Sequence, residues 1–427
     1  MQQNELSNEP KTVVDLSSSN AQVDLNSGLT AGYAEYESDA PLVSPKLSKR
    51  LLAAMEGAPP PTASSSAVPA VSDDVVPSSA TLDTAYHRNI ARGHADAAKN
   101  AYLAGNFEEA ATNLSKALLI FRQLDDLGNA AWCLNNSGKI QYRMGDLVAA
   151  RMSLEESVSL FRMTQDVYGL CWSLYNLGRV SYRDNKLDGA RNAIEESLVN
   201  FRKWGDRAGV AWALNALGKI AYRRKDYDEA RAALSESLEL FREIDDLASV
   251  AWSLENLGKV AYRIGDYAES RQKYIDSLET YRTLDDRKGM AWSYLCLGKV
   301  AYRQKMYREA EACVLDARGI FHELADSYME ACCSEHLARC SYAMEDYEKA
   351  SALLANGIIL FSEVGELRAV ADLQKDLERV NVAVKVIQQG VAHGVADTRT
   401  ETEGEERESR GFHAFAPASL AVSSGNA

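Results

Sequence analysis

Proline and glycine are scarce, at 9 and 26 of 427 residues, which excludes a collagen-like or turn-dense chain and points to a regular interior. Long apolar runs are missing too: no stretch approaches the ~18 uninterrupted apolar residues of a membrane-spanning helix. The opening residues, MQQNELSNEPKTVVDLSSSN, hold no apolar run behind a basic start, so no secretory leader is expected. The seven cysteines are few and odd in number. They argue against a disulfide framework and for reduced thiols in a cytoplasmic compartment.

Signatures of catalysis and metal binding are also lacking. The chain has no GxxxxGK[ST], no GxSxG and no strand leading into a glycine-rich loop, so phosphate-cradling and nucleophile-elbow enzymes find no support. Cys332, Cys333 and Cys340 are close together, but no CxxC pairs with a second CxxC or HxxxH. Small buried thiols explain them better than zinc. The six histidines are scattered. No enzyme activity, cofactor or metal is expected.

What is present is a net charge of −14, distributed unevenly. Residues 1–85 carry eleven acids against four bases, and residues 390–427 carry six against three. The middle is close to neutral, with a net of about −4. An acidic total disfavours general binding to nucleic acid or to an anionic membrane.

That middle re-aligns with itself at a spacing of 40 residues without a gap. Seven units start at Ala91, Ala131, Cys171, Ala211, Ala251, Ala291 and Ala331. Two of them read AWALNALGKIAYRRKDYDEARAALSESLELFREIDDLASV and AWSLENLGKVAYRIGDYAESRQKYIDSLETYRTLDDRKGM. A repeat of this length is one supersecondary unit, stable only when stacked on its neighbours.

Each unit reads as two amphipathic helices. Asp126, Asp166, Asp206, Asp246, Asp286 and Asp326, at unit position 36, are expected to cap the next unit's first helix, where a short carboxylate meets orphan amides. A turn is expected near position 14, at Gly105, Gly145 and Gly265. Gly138, Gly178, Gly218, Gly258 and Gly298 at position 8 would each weaken an isolated helix by roughly 1 kcal/mol relative to Ala. Their recurrence implies close helix packing.

The L-G…Y…A…F spacing over a helix-turn-helix resembles the tetratricopeptide repeat in its longer, 40-residue form, over residues 91 to about 389. The resemblance implies an all-α, right-handed superhelical solenoid of seven helix-turn-helix units with disordered termini. Long-form repeats of this kind occur in bacterial regulators and in Pins/LGN-type adaptors. This chain departs from the family in placing Trp at position 2 and Leu at position 4. The domain plan is then an acidic arm over 1–85, a solenoid over 86–389 with a closing helix over 371–389, and a tail over 390–427. Within the arm, SPKLSKRLLAAM from Ser44 is basic and apolar and reads as a docking helix or as a phosphorylation site at Ser44.

A helical wheel puts positions 2, 5, 6, 9, 12 and 13 of the first helix opposite its hairpin core. Position 9 is basic in every unit and position 13 in five, giving Lys139, Arg143, Arg179, Arg183, Lys219, Arg223, Lys259, Arg263, Lys299 and Arg303 in the inner units. Asn135, Asn176, Asn215 and Asn256, with Trp172, Trp212 and Trp252, occupy positions 5, 6 and 2. In the family the first helices line a concave groove, so the resemblance implies that these residues line it. Twelve cations on one face of a near-neutral array would require an acidic outer surface.

Such a face suits an extended acidic or phosphorylated peptide: Lys and Arg donate to carboxylate or phosphate, Asn bonds peptide backbone, and Trp offers rigid apolar contact. The chain is therefore expected to be a non-catalytic protein-interaction scaffold or adaptor. Two alternatives stay open at this level. The aromatics can instead pack between first helices and the cations pair with neighbouring acids, and the same stacking and basic groups suit single-stranded RNA. The acidic tails are also expected to compete for the groove from within the chain.

Overall fold

The computed structural model describes residues 79–393, as fifteen helices and the short turns between them. The arm before Ser79, including the Ser44–Met55 segment, and the tail after His393 lie outside the described residues. Helix α1 spans Ser79–Leu103 and α2 Phe107–Gln123. The pairs continue as α3 Leu127–Arg143 with α4 Leu147–Thr164, α5 Val167–Arg183 with α6 Leu187–Trp204, and α7 Arg207–Arg223 with α8 Tyr227–Glu243. They go on as α9 Leu247–Arg263 with α10 Tyr267–Thr283, α11 Arg287–Arg303 with α12 Tyr307–Glu323, and α13 Ser327–Ala343 with α14 Tyr347–Glu363. The long α15, Leu367–His393, closes the stack and buries Leu373 and Val380 against the last hairpin. The first helix starts at Ser79, inside the stretch assigned to the 1–85 arm.

The caps form as the sequence implies. Asp126, Asp166, Asp206, Asp246, Asp286 and Asp326 each accept a hydrogen bond from the amide three residues on. Second helices are capped in the same way by Asp146, Asp226, Asp266 and Asp346. Met306 holds the equivalent place before α12 and makes no side-chain cap. Met306→Asp should therefore stabilise the array by about 1 kcal/mol, read as a raised midpoint of thermal unfolding. The turns need one left-handed residue each. Glycine supplies it at Gly105, Gly145 and Gly265, while Lys225, Lys305 and Glu345 take the same conformation elsewhere.

The position-8 glycines explain the tight hairpins. A Cβ on Gly218 would lie 2.6 Å from Leu234 Cγ and 3.2 Å from the Ala230 carbonyl oxygen, and one on Gly138 would lie 2.5 Å from Leu154 Cγ. In the inner units a Trp closes the other end of the hairpin. Trp132, Trp172 and Trp212 meet Phe161, Phe201 and Phe241 edge to face, with centroids 5.1, 5.1 and 5.2 Å apart. Such pairs add about 0.5–1.5 kcal/mol beyond area burial.

First helices of successive pairs touch one another in addition to their hairpin partners, and second helices approach each other less closely. The second helices are instead bridged by long side chains. Arg122 pairs with Glu156, Arg162 with Glu196 at 2.7 Å and Arg202 with Glu236 at 2.8 Å. Arg191 to Glu229 at 2.7 Å and Arg231 to Glu269 at 2.5 Å form a second series. The outer layer is thus a ladder of paired charges, where the cation count alone implied a strongly acidic face. Each exposed rung contributes about 0–1 kcal/mol, so the ladder serves register more than stability.

Candidate functional site

Positions 9 and 13 lie about one turn apart on the first helices, and the structure gathers them into one strip. Their cations lean onto aromatic rings of adjacent units. Lys139 sits 5.7 Å from the centroid of Tyr102, while Arg179 and Arg183 sit 5.0 and 5.1 Å from Tyr142. Lys219 and Arg223 cover Tyr182 at 5.4 and 4.9 Å, and Arg303 covers Tyr262 at 5.9 Å. Lys259 and Lys299 share Trp292 at 5.6 and 5.7 Å. Arg183 also donates to the Tyr142 carbonyl at 2.9 Å, and Arg263 Nε donates to the Tyr222 hydroxyl at 2.9 Å. Stacking of this kind holds a cation with about 0.5–1 kcal/mol. Most of these cations are half-buried, and Arg263 and Arg303 are exposed.

The asparagines lie deeper. Asn135, Asn176, Asn215 and Asn256 are only 3, 6, 0 and 6% exposed. Asn176 Nδ2 donates to Asn135 Oδ1 at 3.0 Å, and Asn215 Nδ2 to Ser253 Oγ at 3.1 Å. Their hydrogen bonds stitch neighbouring first helices together. Trp172, Trp212 and Trp252 are buried as well, at 7–8% exposure. A ligand approaching this row therefore meets cations and tyrosines, with the asparagines and tryptophans as their support. The wheel divides a helix into two faces, but α9 has thirteen buried residues among its seventeen, because it packs on helices to either side as well as on its hairpin partner.

One recess concentrates the cations. Tyr102, Lys139, Tyr142, Arg143, Asn176 and Arg179 line a pocket of about 40 Å³ where α1, α3 and α5 meet. Burial there pushes the Tyr102 phenol up, yet Lys139, Arg143 and Arg179 together bring it below its ordinary value. The Lys139 ammonium is pushed down, by burial first and by Arg179 and Arg143 in addition. The Tyr102 shift, which runs against burial, reports a positive field in the recess.

Acids enter the strip further along. Glu255 is buried on α9, with Ser293 Oγ 3.5 Å from its carboxylate. Burial pushes its carboxyl up to about 8, against the pull of Lys259. Glu335 is likewise raised by burial and pairs with Arg339 at 2.8 Å. Burial, with Lys299 and Arg339 beside it, holds the His336 imidazole well below its usual value, so this groove-position histidine is neutral. The positive strip is strongest over α3–α7.

Among the described residues no group of His, Cys, Asp and Glu could hold a metal ion, and no helix is long and apolar enough to cross a membrane. The clustered thiols are buried, and burial raises Cys333 and Cys340 to about 12. Thiolate is the reactive form. A disulfide reagent at neutral pH should thus react with Cys313, which is partly exposed, far ahead of the other six. Denaturant should release all seven, and rapid modification of Cys332 or Cys333 in the folded chain would contradict this burial.

Comparison with known proteins agrees with this architecture. No curated protein matches the chain. The STAND signal-transduction ATPase with a tetratricopeptide repeat sensor from Pyrococcus horikoshii is 14% identical with a TM-score of 0.51, over 68% of this chain and 47% of that one. BtubC from P. vanneervenii is 21% identical over 51% of this chain and 92% of its own, with a TM-score of 0.47. A tetratricopeptide repeat protein from Parabacteroides merdae is 14% identical over 66% and 98%, with a TM-score of 0.46. The tetratricopeptide repeat family itself matches at residues 90–163, 169–243 and 209–283. With that match laid on hairpins that continue in the same register through α14, the repeats of residues 90–283 belong to the tetratricopeptide repeat family.

Proposed function

We propose that the array is a non-catalytic protein-interaction scaffold whose first-helix strip binds an extended acidic or phosphorylated peptide. The observation that carries this reading is the run of Lys and Arg side chains stacked on tyrosines at a fixed 40-residue interval. Pre-positioned cations lose little freedom on binding, so more of the charge-assisted hydrogen bonding appears as affinity. The recess at Lys139, Arg143 and Arg179 is the strongest anchor for a single carboxylate or phosphate, and the strip over α5–α7 follows the peptide from it. Single-stranded RNA fits less well. The tryptophans are buried and the tyrosine faces are covered by cations, which leaves few free rings on which bases can stack.

A Glu-rich peptide and a phosphoserine-containing one, each labelled, serve as probes against the full chain and against a K219E/R223E/K259E/R263E variant. Binding should fall at least tenfold, about 1.4 kcal/mol, in the variant and again at high salt. The loss of ring stacking should lower stability without removing helical circular dichroism. Equal capture by a folded variant would refute the strip. Salt-sensitive retention of single-stranded RNA without peptide binding would favour the nucleic-acid reading. A chain lacking residues 1–78, the part of the arm before α1, should bind the same peptides more tightly if the acidic arm competes for the strip.

A further inference from the structure

The outer face of α4 departs from the charged ladder around it. Val148, Met152 and Met163 point outward at 72, 66 and 67% exposure. The same positions are Asp188, Asn192 and Lys203 in α6 and Asp228, Ala232 and Glu243 in α8. The Arg122–Glu156 and Arg162–Glu196 pairs show that α2, α4 and α6 lie side by side. Leu119 on α2 and Val199 on α6, 60 and 50% exposed, flank Ser159 by the same 40-residue register, between the levels of Met152 and Met163. An apolar patch rimmed by polar groups marks a contact surface. Its rim carries both signs: Glu108 on α2 and Asp188 on α6 flank Val148 by position and Glu155 is exposed beside Met152, while Lys203 on α6 flanks Met163.

We propose that this face is the docking surface for the chain's own segment Ser44–Met55. Three observations select that occupant. Leu47, Leu51 and Met55 recur every fourth residue, one apolar stripe when the segment is helical. Arg50 falls on a flank of that stripe, where it can meet Glu108, Glu155 or Asp188, while Lys46 and Lys49 fall on the far side. Between Met55 and the start of α1 at Ser79 lie residues 56–78, which reach up to roughly 75 Å when extended. Because α1 packs on α2, beside α4, the tether spans the distance with slack, and it holds the segment at a high effective concentration. The contact leaves the first-helix strip uncovered, so it stands or falls independently of peptide binding.

The test uses the full chain with a photoreactive benzoylphenylalanine in place of Met152. Irradiation should cross-link it to the tryptic or chymotryptic peptides that cover residues 44–55 of the same molecule. In the L47E/L51E chain that product should fall at least tenfold. Mixing isotopically labelled and unlabelled copies separates a link within one molecule from a link between two. Trypsin should also cut after Lys46, Lys49 and Arg50 at least tenfold faster in an M152E/M163E chain, whose substitutions lie on exposed positions and should leave helical circular dichroism unchanged. Cross-links that join two copies, that land outside residues 44–55 or that persist undiminished in L47E/L51E would overturn the proposal. Equal cleavage rates in the parent and M152E/M163E would overturn it as well.

Discussion

Gly218→Ala should destabilise the array by about 2 kcal/mol, although alanine is the better helix former by about 1 kcal/mol. The reason is the contact and not the backbone. Gly218 lies in mid-helix, where a methyl group would stand 2.6 Å from Leu234 Cγ with the Ala230 carbonyl oxygen 3.2 Å away. Leu234 is itself 1% exposed and has no space into which to retreat. Gly319→Ala is the matched opposite: Gly319 lies inside α12, is exposed and has nothing within 4 Å of its added Cβ. It should stabilise by about 1 kcal/mol. Denaturant unfolding of the two variants reads both signs, and a stabilising Gly218→Ala would show that the hairpin is looser than the close approach implies. Because repeat arrays unfold in segments, the loss should appear first in units three to five.

Glu255→Gln should flatten the dependence of stability on pH between about 5 and 8. The folded carboxyl is held up near 8, above its value in the unfolded chain, so the folded state binds the extra proton. Its stabilising contribution is fully present below the ordinary Glu range and is lost as pH rises through about 8. Burial is the main cause, while Lys259 on the same helix opposes it and Asp286 before α11 reinforces it. Tyr274 and Cys296, also raised by burial, complete the surroundings. The parent should lose on the order of 3 kcal/mol between pH 5 and pH 9 that the Gln variant retains. Parallel stability curves for the two proteins would mean that Lys259 neutralises the carboxylate fully.

Much of the architecture is legible in the sequence, because its determinants are local and repeated. The 40-residue period, the Asp caps and the position-8 glycines each follow from chemistry within one hairpin. The turn residues are less legible: Lys225, Lys305 and Glu345 adopt left-handed backbone because the hairpin on either side imposes it. The strip of cations is visible as a pattern, but its tyrosine backing and the depth of Asn135 and Asn215 depend on how closely first helices approach across units. A wheel drawn for one helix carries no information about that distance. Position 27 shows the same limit. Ser157, Ser197 and Ser237 look like ordinary surface serines, yet each is fully buried and donates to a first-helix carbonyl at 2.8 Å. Recurrence at one unit position was the available signal.

The outer ladder was hidden for a different reason. Charge totals give the balance of a region but not its pairing, and Arg162 with Glu196 or Arg231 with Glu269 become partners only after stacking fixes a spacing of 34 or 38 residues. The apolar face of α4 is likewise seen only once its neighbours are known to be charged.

The most direct measurement of the peptide-binding strip is to locate a bound acidic probe on the surface. A Glu-rich peptide carrying one photoreactive residue should cross-link to first helices, at or beside Arg179, Lys219, Arg223 and Lys259, with yield falling as salt rises. Cross-links confined to the second helices, or a yield indifferent to salt and to the four-site charge reversal, would contradict a ligand face made of stacked cations.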